Sequence, residues 1–255
     1  MMRQSDPDEF YIGYDPPMPP RTARFVTRAL VVVGALAAVT AVLVAVGHKS
    51  LEGGTFEYGH PTSIAGTLLE RPYPALIPEG ARNGEASVLL VAPGKHGANH
   101  LVQGREGQHA TVRGTRIRRG SFTMVEVEPA SLVTHELPSG IASRVSEGSV
   151  TDTPVTLTGE IVDSKCFLGV MVPGSGKTHK ECASLCLRGG IPPALYVQDR
   201  AGRSSLLLLT GASGEKVSAQ AASLAGEAVT MTGTLAKQGG WLVIRSDPSS
   251  WHLVR

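Results

Sequence analysis

The sequence predicts a mainly β protein with one N-terminal transmembrane helix. Two tandem five-stranded barrels follow it, the second with a Cys-containing helical insertion. Three observations lead there. Ala29–Gly47 is an uncharged apolar run long enough, with its flank from Phe25, to cross a bilayer. Two later stretches repeat one pattern of β-rich runs and glycine turns. Thirty glycines and 17 prolines against 5% aromatic residues imply many turns and few long soluble helices.

Residues 25–47 are expected to form the membrane helix, because a backbone in hydrocarbon must satisfy its own hydrogen bonds. A cleaved signal peptide is the alternative, but its apolar core is usually shorter, and no clear A-x-A site precedes His48. Arg21, Arg24 and Arg28 precede the span and only Lys49 closely follows it. The positive-inside rule then puts residues 1–24 in the cytoplasm and residues 48–255 outside the inner (plasma) membrane. In a bacterium that side is the periplasm or cell exterior, where cysteines meet oxidising conditions. The tail 1–24 carries Phe10, Tyr11 and Tyr14 beside Pro16, Pro17, Pro19 and Pro20. Prolines so placed favour an extended segment that either docks on a membrane partner or stays disordered.

The repeat sets residues 107–133 against residues 226–254. At one constant offset Thr111 matches Thr230, Gly114 matches Gly233 and Thr115 matches Thr234. Gly120, Pro129 and Ser131 match Gly239, Pro248 and Ser250. The openings TSIAGTLLE (62–70) and VTLTGEIVD (155–163) correspond as well. The middles, 86–102 and 194–209, correspond loosely. Each copy thus has about five short strands, and the second a helix around Glu215–Leu224 stopped by Gly226. Five strands with a helix between the third and fourth resemble the OB-fold, a small Greek-key barrel; paired β-sandwiches are the alternative. The expected domains are 60–133 and 152–255, joined by a Ser/Thr/Gly/Pro-rich linker at 134–154.

The second copy is longer mainly through residues 166–192, where the first copy has LERPYPALIPEGARNGE. The insertion passes a PGSG loop into a helix from Lys177 or Thr178 to Leu187. Gly189-Gly190 and Pro192-Pro193 end that helix. His179, Cys182 and Cys186 fall at i, i+3 and i+7 and share a helix face, and Cys166 enters from the other arm. Three thiolates and an imidazole suit zinc or cuprous copper, and haem iron is a further candidate cofactor. The chain has three cysteines, an odd number that cannot all pair internally. The competing reading is one disulfide, Cys166 to Cys182 or Cys186, worth about 3 kcal/mol by loop closure. Cys182 to Cys186 fits poorly within one regular helix.

G-E-I-V-D-x-x-C-F-x-G, followed by H-x-x-C-A-x-x-C and G-I-P-P over residues 159–193, resembles a pattern in uncharacterised bacterial membrane-anchored proteins with tandem OB-like domains. These resemble accessory components of cytochrome or molybdenum-type respiratory complexes. The resemblance implies integral-membrane or periplasmic redox subunits as partners and implies no catalytic residue.

Other motifs carry less. PGSGKT (173–178) ends like a phosphate-binding loop, but Met171 stands where that pattern requires glycine. Its helix N-terminus is left as a seat for a small anion. His96 and His100 lie in a turn and read as solvated. Arg113, Arg116, Arg118 and Arg119 read as a charged strand edge, with anionic lipid or an acidic partner as the other option. A net charge of +2 and few aromatic residues give no footprint for nucleic acid. No Ser-His-Asp set or close carboxylate pair stands out, so an accessory or scaffold subunit of a membrane electron-transfer complex is expected rather than an enzyme. The alternative role is a metal-, haem- or thiol-redox carrier built on Cys166, His179, Cys182 and Cys186.

Overall fold

The computed structural model describes residues 18–47, 53–81, 87–135 and 154–254. It divides into two units, Met1–Leu51 and Glu52–Arg255. In the first, α1 (Pro20–Gly47) is a single helix whose most apolar window has a mean hydropathy of 2.8, long and apolar enough to cross a membrane. It begins earlier than residue 25. Pro20 opens it instead of prolonging an extended tail, because the first-turn N–H that proline lacks has no helical partner anyway. Thr40 returns its hydroxyl to Leu36 O at 2.8 Å, so the one hydroxyl of the Ala29–Gly47 run is satisfied within the helix. Phe10, Tyr11, Tyr14, Pro16 and Pro17 lie outside the described residues.

The second unit begins with a short strand, β1 (Thr55–Phe56). β2 (Thr62–Leu69), β3 (Ala75–Pro78) and β4 (Val88–Ala92) form an antiparallel meander. A short β5 (His96–Gly97) and helix α2 (Asn99–Val102) lead to β6 (His109–Arg119) and β7 (Phe122–Val127). β7 runs parallel to β4 and antiparallel to β6, which closes the barrel on β2. β8 (Val133–His135) then returns to pair with β6.

The second barrel repeats this. β9 (Val155–Asp163) is followed by the insertion with helix α3 (Lys180–Arg188), then by β10 (Pro193–Gln198) and β11 (Ser204–Thr210). Helix α4 (Ser218–Ala222) precedes β12 (Ala228–Gln238), β13 (Trp241–Arg245) and β14 (His252–Leu253). β11 is parallel to β13, and β12 closes on β9. Both modules are therefore closed five-stranded barrels with OB-like connectivity and a helix between the third and fourth strands.

The repeat extends to register. Leu89 pairs with Met124 as Leu208 pairs with Val243, Arg116 with Val125 as Leu235 with Ile244, and Thr111 with Val133 as Thr230 with His252. Matching glycines mark the sharp bends. A Cβ on Gly114 or on Gly233 would each meet a carbonyl oxygen of the neighbouring strand at 2.2 Å.

Four expectations need correction. The loose match of 86–102 with 194–209 is out of phase: β4 corresponds to β11, and β10 corresponds to β3, which lies inside the segment taken as the insertion's counterpart. Pro74-Ala75-Leu76 and Pro193-Ala194-Leu195 mark the true alignment. The first barrel also has its helix, α2. The helix of the second spans only Ser218–Ala222, with Gly226 at φ +69° beyond it. The linker starts as strand β8, and residues 136–153 lie outside the described residues.

Leu68, Leu76, Leu90, Val112 and Val125 fill the first barrel, and Ile161, Leu195, Leu209, Met231 and Ile244 fill the second. A third core lies between them, built from outward-facing residues of both. Leu69, Ala75, Leu89, Ile117 and Met124 meet their repeat counterparts Val162, Ala194, Leu208, Ala236 and Val243 in it. The two barrels thus bury the same face, as in the self-complementary interface of a two-fold dimer. Phe122 and its counterpart Trp241 stack across the seam at 4.7 Å.

Candidate metal centre

The cysteine-bearing loop grows from the end of β9. Asp163 is fully buried there, and its Oδ1 accepts the backbone N–H of Cys166 at 2.8 Å. That bond turns the chain into a wide turn, Cys166–Val170, which ends the strand direction. Gly174 returns past it so closely that a Cβ would lie 2.5 Å from Cys166 O. A 3₁₀ turn, Lys177–His179, then feeds α3. Gly189 and Gly190 stop α3, with Gly190 at φ +91°, a conformation open to a residue without Cβ.

The three cysteines and His179 fall into two overlapping groups, and His179 ends the 3₁₀ turn before α3 instead of lying on the helix itself. Cys166 Sγ, Cys182 Sγ and a ring nitrogen of His179 all lie within 4.8 Å of one another. Asp163, Cys166 and Cys186 form a second group within the same limit, so Cys166 is the hub. His179 Nε2 is 2.9 Å from Asp163 Oδ2, with both side chains buried. The carboxylate fixes the orientation of the imidazole. All three sulfurs are unbonded thiols. A hydrogen bond from Cys166 holds the Cys186 thiol below its ordinary range. The same bond, followed by burial, pushes Cys166 up.

Two members of the site were not foreseen. Asp163 stands within the motif G-E-I-V-D, but nothing in the sequence distinguishes it from a strand-end carboxylate. Lys95 comes from the first barrel, and its Nζ lies 2.8 Å from Cys182 Sγ and 4.0 Å from Cys186 Sγ. The bond to Cys182, above all, raises the ammonium's pKa.

Cys166, His179 and Cys182 offer three donors suited to a soft metal, with Cys186 beside Cys166 as a further sulfur. Zinc–sulfur bonds of about 2.3 Å and zinc–nitrogen bonds of about 2.0 Å place neighbouring ligand atoms about 3.5–3.8 Å apart, so a contraction of at most about 1.3 Å closes the first group on an ion. Cys166, His179 and Cys186 are buried and Cys182 is half-buried, which makes Cys182 the side open to entry. Cys166, Cys182 and Cys186 also stand close enough together to serve as a dithiol.

The remaining motifs resolve differently. The N–H of Gly176, in the PGSGK loop, donates to the Glu160 carboxylate, whose pKa burial raises; the chain's own carboxylate takes a donor that a small anion would use there. His96 and His100 are exposed and lie outside both ligand groups. The arginine run is not one solvated edge. Arg113 and Arg118 pair with Glu128 and Glu57, whereas Arg119 turns inward, donating to Phe167 O at 2.8 Å and stacking 4.1 Å over its ring.

Fold and site together define a class: a tandem OB-like protein with a thiol–imidazole cluster at the seam of its barrels. No protein-family model, curated protein or solved structure matches the chain.

Proposed function

We propose that this is a membrane-anchored protein whose barrels face the exported side and hold a soft metal ion, zinc or cuprous copper, through Cys166, His179, Cys182 and Cys186. The observation that carries the reading is the convergence of Cys166, His179 and Cys182, with Asp163 orienting the imidazole. A bound cation supplies the counter-charge that lets buried thiols ionise. Arg21, Arg24 and Arg28 in the first turns of α1, against the single lysine close behind it, support export.

The test is metal analysis of the full-length protein in mild detergent, with a free-thiol count by mass spectrometry. One equivalent of metal is expected, with loss of most of it in Cys166→Ser and Cys186→Ser. An intact disulfide with no metal overturns the reading and favours thiol-redox chemistry.

A second reading keeps the same anchor and makes the protein a non-catalytic accessory subunit of a respiratory redox complex. Met171, Val172 and Leu185 favour it: they are about half exposed, apolar and lie within the cysteine segment. Extraction from native membranes should then recover a redox subunit with it; migration alone would end this reading.

A further inference from the structure

Among the described residues, Lys95 contributes to the cysteine cluster from the first barrel, and its backbone is fixed from two sides. Lys165, buried in the seam, donates to Ala92 O at 3.0 Å and to Gly94 O at 2.6 Å, just before Lys95. The end of α3 closes on the other flank. Gly97 N–H donates to Gly189 O at 2.9 Å, and a Cβ on Gly189 would lie 1.7 Å from Lys95 O. The turn that carries Lys95 is therefore docked on the insertion, and the direction of its side chain follows from that docking. Its ammonium reaches Cys182, the half-buried cysteine.

Three thiolates and a neutral imidazole around a divalent ion leave one negative charge in excess. An ammonium bonded to a ligating sulfur offsets that charge without occupying a coordination position. We propose that Lys95 is the lid of the metal site: it covers the open Cys182 edge and makes metal occupancy and the docking of the first barrel on the insertion favour each other. This inference rests on the metal reading above. Linkage is reciprocal, so whatever the docked turn contributes to metal affinity, the metal contributes to docking.

The experiment is zinc titration of the full-length protein in detergent against a competing chelator, for wild type, Lys95→Met and Lys95→Arg. Hydrogen exchange at the Gly97 amide is followed in the same samples. Lys95→Met should weaken zinc by about 10–100-fold, the usual loss for an outer-sphere partner. Lys95→Arg should recover most of the affinity. Zinc should slow exchange at Gly97 in wild type and do so less in Lys95→Met. Equal zinc affinity in wild type and Lys95→Met overturns the lid while leaving the metal site standing. If wild type takes up no zinc, the metal reading fails and takes this inference with it. Because Lys95 is exposed, Lys95→Met should keep the wild-type circular dichroism; Lys95→Gln replaces it if it does not.

Discussion

The two barrels agree in register and differ most in the loop between their first and second strands. In the first barrel that loop is short, and it sends Tyr73 across the seam, where the hydroxyl donates to Leu209 O at 2.7 Å. In the second it is residues 164–192, and it sends Lys165 the other way to Ala92 O, Gly94 O and Glu126. Each barrel thus anchors in its partner through the same loop, one with a neutral group and one with a charge. The short loop has room only for the anchor. The long one adds a turn and a helix, and those bring Cys166, His179, Cys182 and Cys186 together. Among the described residues, the cysteine cluster lies on the loop that differs between the two copies.

Breaking the shared seam should have the largest effect. Trp241→Ala removes a buried ring that stacks on Phe122 and donates to Ser87 O at 2.8 Å. A loss of about 3–5 kcal/mol is expected, as for other buried aromatics, with a smaller loss for the half-buried Phe122→Ala. Denaturant unfolding of the barrels should stay a single transition in both variants. Two separate transitions in wild type would mean that the barrels do not share a core.

The charged anchor comes next. Lys165→Met leaves Glu126 and two carbonyls without their cation, and breaking a buried pair costs about 3–5 kcal/mol; partial exposure of Glu126 lowers the expectation to about 2–3 kcal/mol. Lys165→Met with Glu126→Gln should be milder than Lys165→Met alone, which a double-mutant cycle measures. The neutral anchor should matter least. Tyr73→Phe removes one hydrogen bond and should cost about 1 kcal/mol. A Tyr73→Phe loss equal to that of Lys165→Met would refute the distinction between the two loops.

Much of this was legible in the sequence because it depends on neighbours along the chain. The hairpins of β6–β7 and β12–β13 announce themselves by runs flanking Gly120 and Gly239. Helical spacing sets Cys182 and Cys186 one turn apart on α3, with His179 in the 3₁₀ turn just before it. Strand β3 was hidden by Pro74 just before it and Pro78 at its end, although the recurrence of Pro-Ala-Leu at 193–195 marks it. VLLVA in β4 and the four leucines of β11 gave no alternation because these strands bury both faces, one in a barrel and one in the seam. That second face shows only once the barrels are packed. Arg119 misled for the same reason, since Phe167 comes near it only through the insertion.

By itself the chain's order of residues determined the apolar helix, the duplicated strand pattern, the long loop of the second copy and the spacing of the cysteines on its helix. These are set by periodicity, turn residues and spacing, which act over a few positions. Only the packed molecule decided that matching outer faces meet, that Asp163 holds His179 and that Lys95 crosses from one barrel to the cysteines of the other. Contacts between residues so far apart depend on how two finished barrels dock, and no local rule carries that information.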